Sequence, residues 1–230
     1  MRSVKWIAGI VVAALLLVVG GTWVYINVIR DDAPERLALS EAPEGETAER
    51  ASEPEPVPLG GTWEATEGSV VGYRVPEVLF GQETEGVGRT EDVTGTVTVE
   101  GTTVTEATFE ADMTTVASDE SRRDNQFHTR LMDTAQFPTA RFVLTDPIDL
   151  GPEADAGEVV STIAVGELTL RGTTRPVTIE VQARQTGETF EVAGALPIVF
   201  EEWGIPNPSN VAASVGDEGT LELLLVLRKR

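Results

Sequence analysis

The chain has 230 residues, with 38 acidic and 17 basic side chains, no cysteine and one histidine. Without cysteine there are no disulfide bonds, thiol nucleophiles, thiolate zinc sites or lipidated amino-terminal cysteine, and one imidazole excludes a multi-histidine metal cluster. The formal net charge of −21, with no local basic stripe, argues against binding to nucleic acid.

The first element along the chain is an uncharged apolar segment from residue 6 to residue 29. As a helix it would be about 36 Å long, enough to cross a hydrocarbon core of roughly 30 Å. Arg2 and Lys5 precede it, which favours a cytoplasmic amino terminus. We therefore predict that residues 1–30 are a single-pass signal anchor in the cell membrane, with the following domain extracytoplasmic. A cleaved signal peptide is the alternative.

Residues 31–60 are rich in proline, glutamate and alanine and nearly lack large apolar side chains. Such a segment cannot bury enough surface to offset the entropy cost of ordering it. We predict a disordered acidic linker that would place its two ends about 30 Å apart as a flexible coil. Its role would be to hold the following domain away from the membrane.

Residues 61–230 form one predicted domain in which apolar and polar residues alternate in segment after segment. Val71, Tyr73 and Val75 share one face of the first predicted strand, and about eight such strands follow one another. Helices do not alternate with these strands, so a parallel sheet is not expected. A sheet with one wet face must close or fold over to bury the other, which predicts an all-β antiparallel barrel or sandwich.

Residues 118–137 interrupt the alternation and predict a short amphipathic helix over a mouth or edge of the barrel. Ser118 or Asp119 is the expected helix cap, because short polar side chains accept hydrogen bonds from the first turn. Phe127 would lie on its apolar face, and Pro138 is expected to end it.

Few residues of this domain have the types and spacing that catalysis or metal binding requires. His128 follows Asp124 by one helical turn and could form an acid–base pair, but a solvated helix surface explains the same pattern. The pairs Glu201-Glu202 and Asp217-Glu218 could hold Ca²⁺, although adjacent carboxylates in so acidic a protein are usually only solvated. We predict no catalytic residues, no metal site and no cofactor.

Three motifs of this domain follow one another in a recognisable order. The first joins Arg123 and Asp124 in the predicted helix to Phe137 and Pro138 before the next strand, the second runs from Gly166 to Gly172 across a strand and its turn, and the third contains Asp217 before the last strand. Together they resemble the YceI-like family, and the resemblance extends from about Gly61 to Leu227. Gln126 stands where the family often has a histidine, so a role for that histidine does not transfer to this chain.

The resemblance implies an extended lipocalin-like barrel of about eight strands with a short helix, whose apolar interior binds a polyisoprenoid or quinone-like lipid. It implies no shared enzymatic activity, and it allows a homodimer. The alternative is a non-catalytic interaction or stress-protection barrel whose core is filled by its own side chains. The apolar residues that we expect to face the interior and contact the lipid are Phe109, Met113, Phe127, Phe142, Leu144, Phe190, Phe200 and Leu223.

Overall fold

The computed structural model describes residues 33–40, 57–79, 81–209 and 213–230. The anchor predicted at residues 6–29 lies outside these ranges. Within them, no helix has the length and apolar character needed to span a bilayer.

The described residues form antiparallel strands with two short α-helices, α1 (Ser121–Gln126) and α2 (Gly151–Asp155). The strands are β1 (Gly61–Ala65), β2 (Val70–Leu79), β3 (Gln82–Thr90), β4 (Val93–Glu100), β5 (Thr103–Asp112), β6 (Ala117–Ser118), β7 (Thr139–Leu144), β8 (Ile148–Asp149), β9 (Val160–Leu170), β10 (Thr173–Thr186), β11 (Thr189–Val199), β12 (Ala213–Val215) and β13 (Glu218–Lys229).

Eight strands close into a ring in the order β1, β4, β5, β7, β9, β10, β11 and β13. The ring closes because the last part of β13 pairs with β1, with Lys229 opposite Trp63. The predicted eight-stranded antiparallel barrel is therefore confirmed. Its first ring member is β1, which the alternation did not reveal because this short strand has a single large inward side chain, Trp63.

The strands β2, β3 and β6 extend the wall at one end of this ring. The first part of β13 pairs with β2, Leu221 lying opposite Tyr73, and β2 then pairs with β3. We call this end the mouth end; it carries α1, the β2–β3 turn and the β9–β10 turn. The opposite end, with the β4–β5 and β10–β11 turns, is the far end. The 14 residues of β10 span about 46 Å, so the barrel is long enough for an extended chain.

Aromatic packing closes the far end of the barrel. Trp63 and Phe190 are almost completely buried, and their ring centroids lie 5.6 Å apart. The indole Nε1 of Trp63 donates a hydrogen bond to the Leu59 carbonyl oxygen at 2.8 Å, so the one polar atom of this plug has a partner.

The predicted helix is present, but its boundaries differ from those expected. Glu120 caps α1, because its carboxylate accepts a backbone hydrogen bond from the first turn. The prediction of Ser118 or Asp119 as the cap is wrong, since Ser118 is already paired in β6. The helical turns end at Leu131, well before Pro138.

The structure describes part of the predicted linker. Residues 33–40, which we call the strap, lie against the outer wall of the barrel without regular secondary structure. Arg74 donates a hydrogen bond to the Pro34 carbonyl oxygen at 2.7 Å, and the Ser40 hydroxyl donates one to the Glu191 carboxylate at 2.8 Å. Charged groups of the barrel bind the backbone and side chains of the strap. Residues 41–56 lie outside the described ranges, and a disordered linker over residues 31–60 as a whole stays a prediction.

Candidate functional site

Two cavities lie in series inside the barrel. The outer cavity, at the mouth end, has a volume of about 910 Å³, and the inner cavity has a volume of about 120 Å³. Val71, Ala140 and Leu221 line both, so the two cavities adjoin at these residues. They lie one behind the other between the mouth and the Trp63 plug, which Phe190 of the inner cavity contacts.

The inner cavity is lined almost entirely by aliphatic and aromatic side chains. Such a wall offers no hydrogen-bonding partner and suits a hydrocarbon chain. Five of the residues predicted to face the interior line this cavity, namely Phe109, Phe142, Leu144, Phe190 and Leu223.

The outer cavity contains the other three predicted residues, Met113, Phe127 and Phe200. The eight side chains that the sequence predicts to face the interior therefore all line one of the two cavities, and their contact with a lipid stays a prediction. Tyr73 is not among the residues predicted to contact the lipid, although its alternation with Val71 and Val75 already places it on the inner face.

Tyr73 is the polar ring in the wall of the outer cavity. It stacks on Phe127 with ring centroids 5.1 Å apart and an interplanar angle of 16°. It lies directly opposite Gly88 in the β2–β3 pair, where a Cβ atom would overlap the Tyr73 ring. Burial raises the pKa of the Tyr73 phenol well above its ordinary value of 10.0. The hydroxyl therefore stays protonated and can donate a hydrogen bond inside the cavity.

Two further aromatic rings lie over glycines in the cavity wall. Phe109 faces Gly95 across the β4–β5 pair, and Phe142 covers Gly166 of β9. A Cβ atom on Gly166 would lie 2.5 Å from the Phe142 ring. Because a glycine in a strand admits such close approach, these rings lie against the sheet and leave the interior open.

The mouth of the outer cavity is charged, with more carboxylates than guanidinium groups among its described residues. Arg123 donates hydrogen bonds to Asp119, and its Nη2 atom lies 3.4 Å from a carboxylate oxygen of Glu77. Burial acts to lower the pKa of Arg123, but the hydrogen bond to Asp119 and the neighbouring carboxylates outweigh it and raise the pKa. Arg122 and Glu120 complete the charged lining, so the mouth carries no excess positive charge.

The residues considered for acid–base chemistry have separate partners. Asp124 accepts hydrogen bonds from the backbone N–H of Ser118 at 2.9 Å and from its hydroxyl at 2.6 Å. His128 Nδ1 instead lies 3.4 Å from the Thr134 hydroxyl. Asp124 thus fixes the segment before α1, and the geometry does not arrange these two residues as a catalytic pair.

The remaining family-motif residues build the mouth from outside the cavity. Gly172 has φ +73°, which glycine adopts without strain, and its turn packs against the Phe137 ring. The Arg171 guanidinium lies 5.9 Å from the centroid of the same ring. The Pro138 carbonyl accepts a hydrogen bond from the Met113 N–H at 2.7 Å, which joins β7 to the end of β5.

The acidic pairs considered for calcium also have protein partners. Asp217 accepts a hydrogen bond from the Asn207 side chain at 3.1 Å, and Glu202 pairs with Arg175 at 3.2 Å. In the ranges that the structure describes, no group of three or more histidine, cysteine, aspartate or glutamate residues lies where it could hold a metal ion.

Comparison with known proteins agrees with this architecture. The family model of the YceI-like domain matches residues 65–227. A solved polyisoprenoid-binding domain from Saccharophagus degradans, implicated in plant cell wall breakdown, is similar at TM-score 0.59 and 16% identity, over 74% of this chain and 99% of that one. A search of curated protein sequences finds no match.

Two other solved structures have the same fold. BcnA of Burkholderia cenocepacia is similar at TM-score 0.53 and 20% identity, over 69% of this chain and 94% of that one. A YceI protein of Campylobacter jejuni is similar at TM-score 0.51 and 11% identity, over 62% and 84%. At such low identities these likenesses establish the fold.

Proposed function

The chain belongs to the YceI-like family, and from this premise we propose that its barrel binds the hydrocarbon tail of a polyisoprenoid or quinone-like lipid. The observation that carries the proposal is the pair of adjoining cavities, the outer one of about 910 Å³ and the inner one apolar throughout most of its wall. Burying hydrocarbon is favourable by about 0.8 kcal/mol for each CH₂ group. The free energy of burial therefore favours a long hydrocarbon chain over water as the content of these cavities.

The alternative of a barrel filled by its own side chains fits this interior poorly. A water molecule occupies roughly 30 Å³ of liquid, whereas the outer cavity measures about 910 Å³. The rings over Gly95 and Gly166 lie against the sheet instead of filling the centre. An interaction or stress-protection role without a ligand would not explain why the barrel encloses a cavity of this size.

The mouth favours an uncharged head group on that lipid. Arg123 is paired with Asp119 and Glu77, so a diphosphate at the mouth would meet more carboxylates than guanidinium groups. Tyr73 offers a protonated hydroxyl that can donate to a carbonyl or hydroxyl oxygen. A quinone or a free polyprenol matches these groups.

The proposal also includes a location and a non-catalytic role. We propose that residues 6–29 anchor the chain in the cell membrane and that the barrel is extracytoplasmic, on the basis of the apolar length and the flanking Arg2 and Lys5. The barrel would act as a container, since the residues with catalytic potential, Asp124 and His128, have structural partners instead.

Lipid analysis of the full-length protein tests this function. The chain is purified from bacterial membranes in a mild detergent, and its bound molecules are identified by native mass spectrometry and by solvent extraction. We expect one isoprenoid-type lipid per barrel, displaced by added ubiquinone or polyprenol. Recovery of no lipid, together with no uptake of either compound, would contradict the proposal and favour the ligand-free interaction domain.

A further inference from the structure

The outer wall of the barrel contains charged side chains that are buried, which is unusual for a surface facing water. Arg74 alternates with Tyr73 and Val75, which line the outer cavity, so Arg74 lies on the outer face of β2. Its exposed fraction is nevertheless only 3%, and the same value applies to Glu222 on β13. A covering segment must therefore lie over these residues.

The strap, residues 33–40, is the segment that makes these contacts. The Nε atom of Arg74 lies 2.6 Å from Glu222, and its Nη2 atom donates to the Pro34 carbonyl oxygen at 2.7 Å. Arg36 of the strap pairs with Glu222 at 3.5 Å and with Glu85 at 3.6 Å. Strap and barrel thus share one network of charges, in which the barrel residues Arg74 and Glu222 are buried and Arg36 of the strap is exposed at its outer side.

The other end of the strap is held in the same way. Arg184 donates hydrogen bonds to the Ser40 carbonyl oxygen and, at 3.0 Å, to the Ser40 hydroxyl. It also pairs with Glu191 at 3.1 Å, and the Ser40 hydroxyl donates to that carboxylate. Two separate clusters, each built on buried charged side chains of the barrel, therefore attach the strap, which fixes its direction as well as its position.

The strand register gives this direction relative to the mouth. Arg74 lies opposite Thr220, near the start of β13 at the mouth end, whereas Glu191 lies opposite Val226, toward the far end. Six residues of a strand separate these levels by about 20 Å. Pro34 is therefore on the mouth side of Ser40, and the chain that precedes the strap enters it from the mouth side.

We propose that the strap orients the barrel so that its mouth faces the membrane. This inference rests on the membrane anchoring of the proposed function. Residues 30–32 separate the apolar segment 6–29 from Ala33, and a chain of this length reaches at most about 14 Å. The strap thus replaces a long free linker by a short connection on the mouth side, which lets a lipid pass between bilayer and cavity with little exposure to water.

Site-specific labelling of the full-length protein tests the orientation. The chain has no cysteine, so Asn125→Cys on α1 and Glu188→Cys in the β10–β11 turn each give one labelling site, at the mouth end and the far end respectively. Each variant carries a bimane fluorophore and is placed in a lipid nanodisc whose headgroups bear a nitroxide quencher. We expect quenching at position 125 to exceed that at position 188 at least threefold.

Two replacements show whether the strap causes the difference. In the first, residues 33–40 become a glycine–serine sequence of equal length; in the matched control, residues 41–48 are replaced in the same way. The first should reduce the quenching ratio to near one, and the control should keep it. If the first replacement prevents folding, as judged by circular dichroism, Arg36→Ala with Ser40→Ala serves instead, and this pair should lower the ratio.

The possible outcomes separate the orientation from the proposed function. Equal quenching in the intact chain, or a ratio that no strap variant changes, would overturn the orientation while anchoring and lipid binding stand. A chain that does not associate with nanodiscs would overturn the anchoring and the orientation with it. If samples that keep the quenching ratio of position 125 to position 188 contain no bound lipid, lipid binding alone is overturned.

Discussion

Tyr73 stacks on Phe127 with ring centroids 5.1 Å apart, and this contact joins β2 to the helical turn that follows α1. The pair makes one wall of the outer cavity and lies just inside the charged mouth. Burial of the Tyr73 hydroxyl raises its pKa; the nearby Arg123 lowers the pKa in part, and the carboxylates of Asp124, Asp119 and Glu77 raise it further.

The buried phenol should make the protein less stable at high pH. Its pKa in the folded state is raised, so its stabilising effect is complete below the unfolded-state value of about 10 and is lost as pH rises above that value. The free energy of unfolding should fall by up to about 1.4 kcal/mol per pH unit above pH 10. Urea denaturation at pH 9 and pH 11 measures this change, and Tyr73→Phe should make it smaller. Equal pH dependence in both proteins would contradict the assignment.

The glycine opposite Tyr73 should control the shape of the outer cavity. In Gly88→Ala the new methyl group would push the Tyr73 ring away from the sheet and into the cavity. We expect a destabilisation of about 1–3 kcal/mol, as for other overpacked interiors, and less bound lipid by native mass spectrometry. Gly216→Ala is the matched control, because its Cβ would contact nothing within 4 Å. Equal lipid occupancy in the two variants would show that the Tyr73 position is unimportant for binding.

The junction of the two cavities should limit the length of the bound chain. Ala140 is small and lines both cavities, so Ala140→Phe should close the passage between them. Long isoprenoid chains should then be lost while short ones, which fit the outer cavity, remain. Extraction and mass spectrometry give the distribution of chain lengths. Thr139→Phe places the same ring on the outer face and should leave the distribution unchanged; an unchanged distribution in Ala140→Phe as well would contradict a continuous site.

Freeing Arg123 should change the preferred head group. In the double variant Glu77→Gln, Asp119→Asn, the guanidinium loses its two carboxylate partners and becomes available to a phosphate. A charge-assisted hydrogen bond contributes about 1.5–3 kcal/mol, so affinity for a polyprenyl diphosphate should rise at least tenfold relative to the polyprenol. Fluorescence competition at fixed ionic strength measures this ratio.

A control for that experiment must remove the same charge elsewhere. Glu106 and Glu188 are exposed and lie away from the mouth, so Glu106→Gln with Glu188→Gln changes net charge equally. This control should alter the diphosphate preference by less than a factor of two, since exposed charges at a distance are screened. A similar rise in both double variants would mean that overall charge, and not the Arg123 site, sets the preference.

The buried charges under the strap should be sensitive to the loss of one partner. Glu222→Gln leaves Arg74 with Glu85 and the Pro34 carbonyl, and we expect a cost of about 1–3 kcal/mol in the free energy of unfolding. Arg74→Met combined with Glu222→Leu should cost less than either single change, because it removes both charges together. Denaturant unfolding of the parent protein, Arg74→Met, Glu222→Leu and the double variant gives the coupling energy. Additive effects would contradict a shared network.

The amino-acid pattern alone determined which side chains face the barrel interior. A strand alternates its faces with a period of two residues, so one buried position such as Phe142 or Leu223 fixes the side of every neighbour. For this reason the five predicted lining residues that lie in strands, Phe109, Phe142, Leu144, Phe190 and Leu223, all line the inner cavity. Phe127 lines the outer cavity from the helical turn after α1, where a different period applies. The two helical-turn features that failed, the cap and the end of α1, depend on single hydrogen bonds that the pattern does not specify.

The tertiary structure decided what the alternation leaves open. Closure of the ring depends on β13 pairing with β1, and the extended wall at the mouth depends on β13 pairing with β2; the pairing of distant strands has no local signal. The open interior depends on the strand register, because the register sets which glycine lies opposite each aromatic ring. Gly88, for example, lies opposite Tyr73. The strap depends on outward charges such as Arg74 and Glu222, which look solvated in the sequence. Only the folded wall brings them together closely enough to bind residues 33–40.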